Sequence, residues 1–433
     1  MLKNHPRGLM VLFFTEMWER FGFYIMMAIF VLYMDKTLGW DDARKGNFYG
    51  WFLGLVYFIP IAGGWLGDRV LGQRNTIRVG AVLMTVGYIA LAVSSRARIA
   101  PFYAGLLLVA VGTGLFKANI SVLVGNLYEE GSKLKDSGFN IFYMGINLGA
   151  AAAPLAATFI HNRFGSYNLS FAAAALGMVF SFIVFQLGKR YLVPARVGAA
   201  AQAGGRKTEA GAVLPPPSSV LQNTEDRQRV LALLTLFAVA IFFWIAFYQN
   251  GSSLTLFAER STVRSGILKP ETYQFFNPFF ILVLTPLLVL LFARMRKAGK
   301  EPSSAVKIFA GLFILGLSVL IMVFAARAGG DRDQNIMSPL WLIGSYFVVT
   351  VSEILVSPMG LSFVSKVAPQ RMRGLMMGCW FGATALGSYG SGMLAKYYNR
   401  FEHHDFFLII AALPFLASLL VLPFLKRLNR FSR

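Results

Sequence analysis

Glu16, Glu19 and Arg20 lie together in an otherwise apolar stretch at 9–34, and Lys117 and Glu353 lie singly in two further apolar stretches. Carboxylates beside cations can hold and release a proton, and the same groups can pair with the charged ends of a small ligand. In a helix the i, i+3, i+4 spacing puts Glu16, Glu19 and Arg20 on one face, with Glu16 in reach of Arg20. An ion near the middle of a bilayer costs roughly 2.5 kcal/mol or more, so such groups face a partner or a watery cavity. A self-neutralised Glu16–Arg20 pair accounts for two of the three and leaves a carboxylate over. Snorkelling to the membrane edge is the competing account of Lys117. Glu353 has no charged neighbour in its own stretch and needs a partner from elsewhere. Three carboxylates against two cations leave one excess negative charge. One carboxylate is therefore expected to take up a proton in some state, and that proton is the expected coupling ion. A zwitterionic ligand would complete the site, its carboxylate near Lys117 and Arg20 and its amino group near Glu353.

The elements that position these residues follow from composition. The chain has 433 residues, of which 56% are hydrophobic and 14% charged, with a mean hydropathy of +0.58. Soluble proteins carry about 25% charged residues, so the expectation is an all-α polytopic membrane protein embedded in the lipid bilayer. The net charge of +21 does not point to nucleic acid, because the basic residues are spread over loops and not clustered on one element. The single cysteine, Cys379, allows no intrachain disulfide. The basic start with Lys3 and Arg7 resembles a signal peptide, but the apolar run is too long and holds the charged cluster, so it reads as a retained first helix.

Twelve apolar segments lie near 9–34, 47–67, 77–95, 101–125, 138–161, 167–187, 229–257, 273–293, 306–326, 338–362, 373–396 and 405–425. The one long polar stretch, 188–228, is rich in Ala, Gly and Pro and reads as a flexible linker. Two six-helix bundles, 1–187 and 229–433, joined by a cytoplasmic linker at 188–228, match the major facilitator architecture. Lys and Arg favour one set of loops roughly two to one, which places both termini and the linker in the cytoplasm and the chain in the cell membrane.

Tyr24, Tyr57, Asn147, Trp244, Gln249, Asn250, Asn277 and Trp380 also fall within spans and together favour a wide pocket of mixed polar and aromatic character. Singly, each is more often packing or an interhelical hydrogen bond than a ligand contact. Pro60, Pro154, Pro278, Pro286 and Pro358 mark candidate kinks, and Gly374-x-x-x-Gly378 and Gly378-x-x-x-Gly382 would permit close helix contact. Asp68 and Arg69, in the loop after the second segment, read either as a surface pair or as a cytoplasmic gate between the halves.

At these residues the sequence resembles the proton-dependent oligopeptide transporter (POT/PTR) family of the major facilitator superfamily. The resemblance rests on Glu16-x-x-Glu19-Arg20-Phe21, Gly64-Trp-Leu-Gly-Asp68-Arg69, Gly112-Thr-Gly-Leu-Phe-Lys117-x-Asn119-Ile-Ser121 and Phe139-Asn-Ile-Phe-Tyr143-Met-Gly-Ile-Asn147-Leu-Gly149, the last being the most specific. In the second half it rests on Asn277-Pro278, Glu353 with Ser357-Pro358, and Met377-Gly-Cys-Trp380-Phe381. It implies proton-coupled symport of di- and tripeptides by alternating access, with no cofactor beyond the proton gradient and with the chain acting as a monomer. By the same resemblance Glu16, Glu19, Arg20 and Glu353 serve proton coupling. Lys117 and Arg20 hold the peptide carboxylate, and Asn147, Asn277 and Glu353 lie toward its amino end. Tyr24, Tyr57, Trp244 and Trp380 line side-chain pockets.

The chain departs from the family pattern in several places. Phe23 stands where a Tyr is usual, Met27 where many members have a basic residue, and Gly50 where animal members have a coupling His. Phe247-Tyr248-Gln249-Asn250-Gly251-Ser252 lacks the carboxylate many bacterial members carry there. A carrier of nitrate or another small anionic or zwitterionic solute is the alternative on the same fold. An enzyme is not expected, because His5, His161, His403 and His404 lie at membrane edges or in loops and no metal-ligand spacing appears.

Overall fold

The computed structural model describes residues 5–128, 134–192, 224–264, 266, 268–369 and 373–424. The linker read at 188–228 falls mostly outside them. The described residues form twelve long helices, α1 Arg7–Leu32, α2 Asp42–Arg69, α3 Gln73–Ala92, α4 Ala100–Asn126, α5 Leu134–Phe164, α6 Tyr167–Gly188, α7 Thr224–Phe247, α8 Phe276–Lys297, α9 Ser304–Ala328, α10 Pro339–Val367, α11 Arg373–Ala395 and α12 His403–Val421. Three of the described starts carry side-chain caps. Asp41 accepts from the Arg44 amide at the head of α2, Ser303 from Val306 at α9, and Ser338 from Leu340 ahead of Pro339 at α10, each satisfying an amide the first turn leaves open.

Eleven segments are long and apolar enough to cross a membrane. The remaining helix, α11, is missed by that measure because Gly, Ser and Thr dilute its apolar residues. In the first half α1 packs on α5 and α6, α3 on α4 and α6, and α2 on α4. In the second half α9 packs on α10 and α12, and α7 on α11 and α12. The halves meet where α2 crosses α11 and where α5 crosses α8 with the 3-10 turn Pro270–Phe275 before it. α1 is buried on nearly all sides, from Thr15 through Arg20 and on to Leu32, which suits a helix that carries charge away from lipid.

At the α2–α11 crossing a side chain on Gly392 would meet the Gly46 carbonyl at 2.3 Å and the Gly50 Cα at 2.4 Å, so only glycine lets the two backbones touch. The glycine pairs named from the sequence do not serve this purpose. Gly378 and Gly382 face open space, and Gly387, Gly390 and Gly392 make the close approaches in α11. A motif fixes the spacing of small residues but not the helix face that meets a neighbour.

The seventh segment is not one continuous helix. α7 gives way to a 3-10 turn at Tyr248–Gly251, then to a short helix at Ser253–Arg260. Asn250-Gly251-Ser252 is poor in helix formers, and the backbone groups freed by the break are taken up by neighbours. Tyr49 donates to the Tyr248 carbonyl at 2.9 Å, Tyr346 to that of Asn250 at 3.2 Å, and Gln249 to the Ser391 carbonyl at 3.2 Å. The first helix likewise ends in a π turn, Tyr33–Thr37, which carries Asp35.

Candidate functional site

Between the halves lies a cavity of about 320 Å³, within the size range of small-molecule sites. Glu16, Arg20, Tyr24, Tyr57, Lys117 and Asn147 reach it from the first half. Trp244, Asn277, Glu353 and Trp380 reach it from the second. Glu19 does not line it but stands behind Arg20.

The charged cluster is built in two layers. Arg20 donates from Nη2 to Glu19 Oε1 at 2.6 Å and from Nε to the other Glu19 oxygen, a bidentate pair that fixes the guanidinium. Glu19 is fully buried, and Glu16 and Arg20 are 2% and 4% exposed. Glu16 approaches Arg20 only through Oε1, at 3.3 Å, and its Oε2 is buried without a partner. The sequence showed a carboxylate left over; the geometry identifies it as Glu16. A buried carboxylate oxygen with no donor is costly, and of the two carboxylates that line the cavity, Glu16 and Glu353, only Glu16 has one.

Among the described residues no carboxylate lies within salt-bridge distance of Lys117. Its Nζ instead sits 4.7 Å from the centre of the Tyr57 ring, a contact that holds a cation without neutralising it. Across the cavity Glu353 accepts from Asn277 Nδ2 at 2.9 Å, and Asn277 also donates to Thr350 at 3.1 Å. An uncommitted cation thus faces the space from one half and a carboxylate with a neutral partner from the other. Asn147 spends one donor on the Tyr143 carbonyl at 2.9 Å. Trp244 stacks on Tyr248 at 5.4 Å, and Tyr248 lies 5.6 Å from Tyr57, which makes an aromatic wall shared by both halves. Tyr248, Tyr346, Gln274 and Met27 also line the space; they were missed because an isolated aromatic or amide in a span carries no signal of which way it faces.

Hydrogen bonds and ion pairs between the halves cluster at one end. Arg260 meets Asp42 and Asp35 at 3.1 Å each, and Lys45, 2% exposed in its side chain, pairs with both acids. Lys36 pairs with Glu259 at 2.8 Å, Gln274 donates to the Met27 carbonyl at 3.3 Å, and Asn162 donates to the Gly266 carbonyl at 3.0 Å. This is the end that holds the turns 38–41 and 261–264. Asp68 and Arg69 lie at the opposite end, both exposed, and Asp68 accepts from Gln73 of its own half at 2.9 Å. Tyr143 and Phe381, the most exposed parts of the cavity wall at 48% and 41%, also lie toward that opposite end. The cavity is therefore latched at one end, and among the described residues no hydrogen bond or ion pair joins the halves at the other.

Distant from the cavity, Asp331, Glu402 and His404 bring one ligand-type atom each within 4.8 Å, a grouping that sequence spacing did not reveal. His404 Nδ1 sits 2.7 Å from Asp331 Oδ2, as a hydrogen bond tying the 329–338 loop to α12.

Two six-helix bundles closing at one end on a shared, charged central chamber define a secondary transporter of the major facilitator type. The chain belongs to the POT family, whose model matches residues 74–196 and 209–412. It is 33% identical to dipeptide and tripeptide permease A of Chromobacterium violaceum, over 90% of this chain and 85% of that protein. It is 30% identical to a di-/tripeptide transporter of Lactococcus lactis subsp. cremoris, over 98% of this chain and 96% of the other. In three dimensions it matches the crystal structure of a mutant peptide transporter POT in complex with alafosfalin, with a TM-score of 0.86, 31% identity and coverage of 100% of this chain and 97% of that one.

Proposed function

We propose that the protein carries di- and tripeptides into the cell together with protons, by alternating access of the central cavity. The observation that carries this reading is the placing of Lys117 and Glu353 on opposite halves of one cavity, each free to take an opposite charge. A short peptide has a carboxylate at one end and an ammonium at the other, so a bound peptide joins the halves, and ligand binding favours the closed state by differential affinity. Arg20 supports Lys117 at the carboxylate, while Asn147, Asn277 and Glu353 receive the amino end. Tyr24, Tyr57, Trp244 and Trp380 hold side chains. Glu16 carries the coupling proton, with Glu19 and Arg20 as its fixed frame and Glu353 as the second acid. The decisive measurement is uptake of labelled dialanine into proteoliposomes with and without an inward proton gradient. Accumulation above equilibrium is expected only with the gradient, and a gradient-independent rate would refute coupling.

The distribution of Lys and Arg puts both termini on the cytoplasmic side. The latched end then faces outward, and the cavity opens inward. Asp68 and Arg69 belong to the cytoplasmic gate, apart in this state. The Arg260 latch should govern the balance of states. Arg260→Ala leaves Asp42 with Lys45 alone, and Asp35 with Lys45 and, at 3.7 Å, Lys36, a loss of about 3 kcal/mol for a largely buried pair. External labelling of a Leu53→Cys reporter in the cavity, with Cys379 replaced by serine, is expected to rise at least about tenfold. Unchanged labelling would mean that the latch does not hold the outer end.

A further inference from the structure

At one place in the wall of the central cavity a side chain rests on bare backbone. Glu353, Ser357 and Gly360 follow one another along α10 at i, i+4 and i+7, which sets them on one face of the helix. Glu353 and Ser357 line the cavity from that face. Gly360 is buried instead, beneath the indole of Trp380 from α11. A Cβ on Gly360 would lie within 2.8 Å of three indole carbons, Cζ2, Cη2 and Cζ3. Carbon atoms rest at about 3.5–4.0 Å from one another, so the ring can lie there only because position 360 has no side chain.

The two tryptophans of the cavity are held in different ways. Trp244 meets the rings of Phe243, Phe247 and Tyr248 at 5.0, 5.4 and 5.4 Å. Among the described residues no aromatic ring lies against Trp380, and its seat is the α10 backbone. Trp380 also lines the cavity and is 3% exposed, so the cavity is the space into which its ring can move. A methyl group at position 360 would push the ring into that space, because a packed wall has no void to take it up. In the peptide reading above, Glu353 receives the amino end of the cargo. The positions that follow it on the same face then lie beside the first residue of the peptide, and Trp380 is the surface its side chain meets.

We infer that Gly360 determines specificity: by letting Trp380 rest against α10, it sets the room for the first side chain of the peptide. The cargo this favours is a short peptide that begins with a large apolar residue. Gly360 itself is a positioning residue, acting through the indole. The inference rests on the peptide reading and adds to it the class of peptide.

The test is competition against labelled dialanine for binding to the purified full chain. Phenylalanylalanine and alanylphenylalanine are the competitors, each affinity being taken relative to dialanine in the same variant, so that a general loss cancels. Gly360→Ala is expected to lower the relative affinity of phenylalanylalanine about tenfold, the lower end of what one misplaced methylene does in an apolar pocket. The relative affinity of alanylphenylalanine should change less than about threefold. Adding Trp380→Phe to Gly360→Ala makes room for the new methyl and should bring phenylalanylalanine back to within about threefold of the parent. Equal losses for the two competitors, or no recovery in the double variant, would overturn the inference. Trp380→Phe by itself should raise the relative affinity of phenylalanylalanine at least about threefold, which keeps the test decisive should Gly360→Ala not fold. An unchanged ratio in that variant would equally overturn it. A parent that binds no dialanine would sink the peptide reading and this inference with it. A parent that binds dialanine, with ratios that do not move, removes only the role of Gly360.

Discussion

Lys117→Ala is expected to weaken binding of dialanine about 30- to 150-fold while changing the affinity of an analogue without a free carboxylate less than about threefold. The first figure is about 2–3 kcal/mol, the usual contribution of a hydrogen bond to a charged group in a desolvated site. The selectivity follows from geometry. Lys117 rests on the Tyr57 ring at 4.7 Å, with no described carboxylate to neutralise it, so its charge is available to a ligand and its loss leaves no orphaned protein partner. Competition against a labelled dipeptide, with the free acid and the C-terminal amide side by side, reads both numbers. Equal losses for the two ligands would remove Lys117 from the carboxylate site and turn the mutational effect into one of general structure.

Glu16→Gln should abolish gradient-driven accumulation, a fall to the level without a gradient, yet leave exchange of peptide for peptide within about threefold. Exchange needs only the loaded carrier to reorient, whereas accumulation needs a proton to bind and leave in each cycle. The carboxamide keeps the shape and the contact to Arg20 but carries no titratable proton. Glu19→Gln is a sharper structural insult, because Glu19 holds Arg20 bidentately in a fully buried position and its neutralisation frees the guanidinium. Loss of both exchange and expression is therefore expected for Glu19→Gln. Side-by-side measurement of accumulation, exchange and protein yield separates the two acids. If Glu16→Gln still accumulates peptide against a gradient, the proton is carried elsewhere, and Glu353 becomes the acid to test.

The membrane fold and the central site were largely legible because burying charge in lipid is so costly that five titratable residues announce themselves. Glu16, Arg20, Lys117 and Glu353 do line one cavity, and the excess carboxylate found by counting has its counterpart in the unpartnered Glu16 Oε2. The outer latch was not legible. Asp35, Asp42, Lys45 and Arg260 sit at segment ends, where charge costs little and carries no signal, and Asp35 is aimed by a π turn that no periodicity reveals. Asp68 and Arg69 stood out instead because they lie in a recognisable motif, yet among the described residues they make no hydrogen bond or ion pair between the halves. The Gly378 and Gly382 spacing misled for a related reason: the small-residue pattern was present, but the positions of α11 that press on α2 are Ala385, Tyr389 and Gly392, while Gly387 and Gly390 meet α7.

The crossing of α2 and α11 at Gly46, Gly50 and Gly392 has a kinetic consequence. At these glycines two smooth backbones lie directly against each other, so parting them there asks for no rotamer to unwind, and the Trp51 ring edge-on to Tyr389 flanks the seam at 5.0 Å. Such a seam is expected to offer little friction, which would leave the release of the neighbouring charges as the slower step of the turnover cycle.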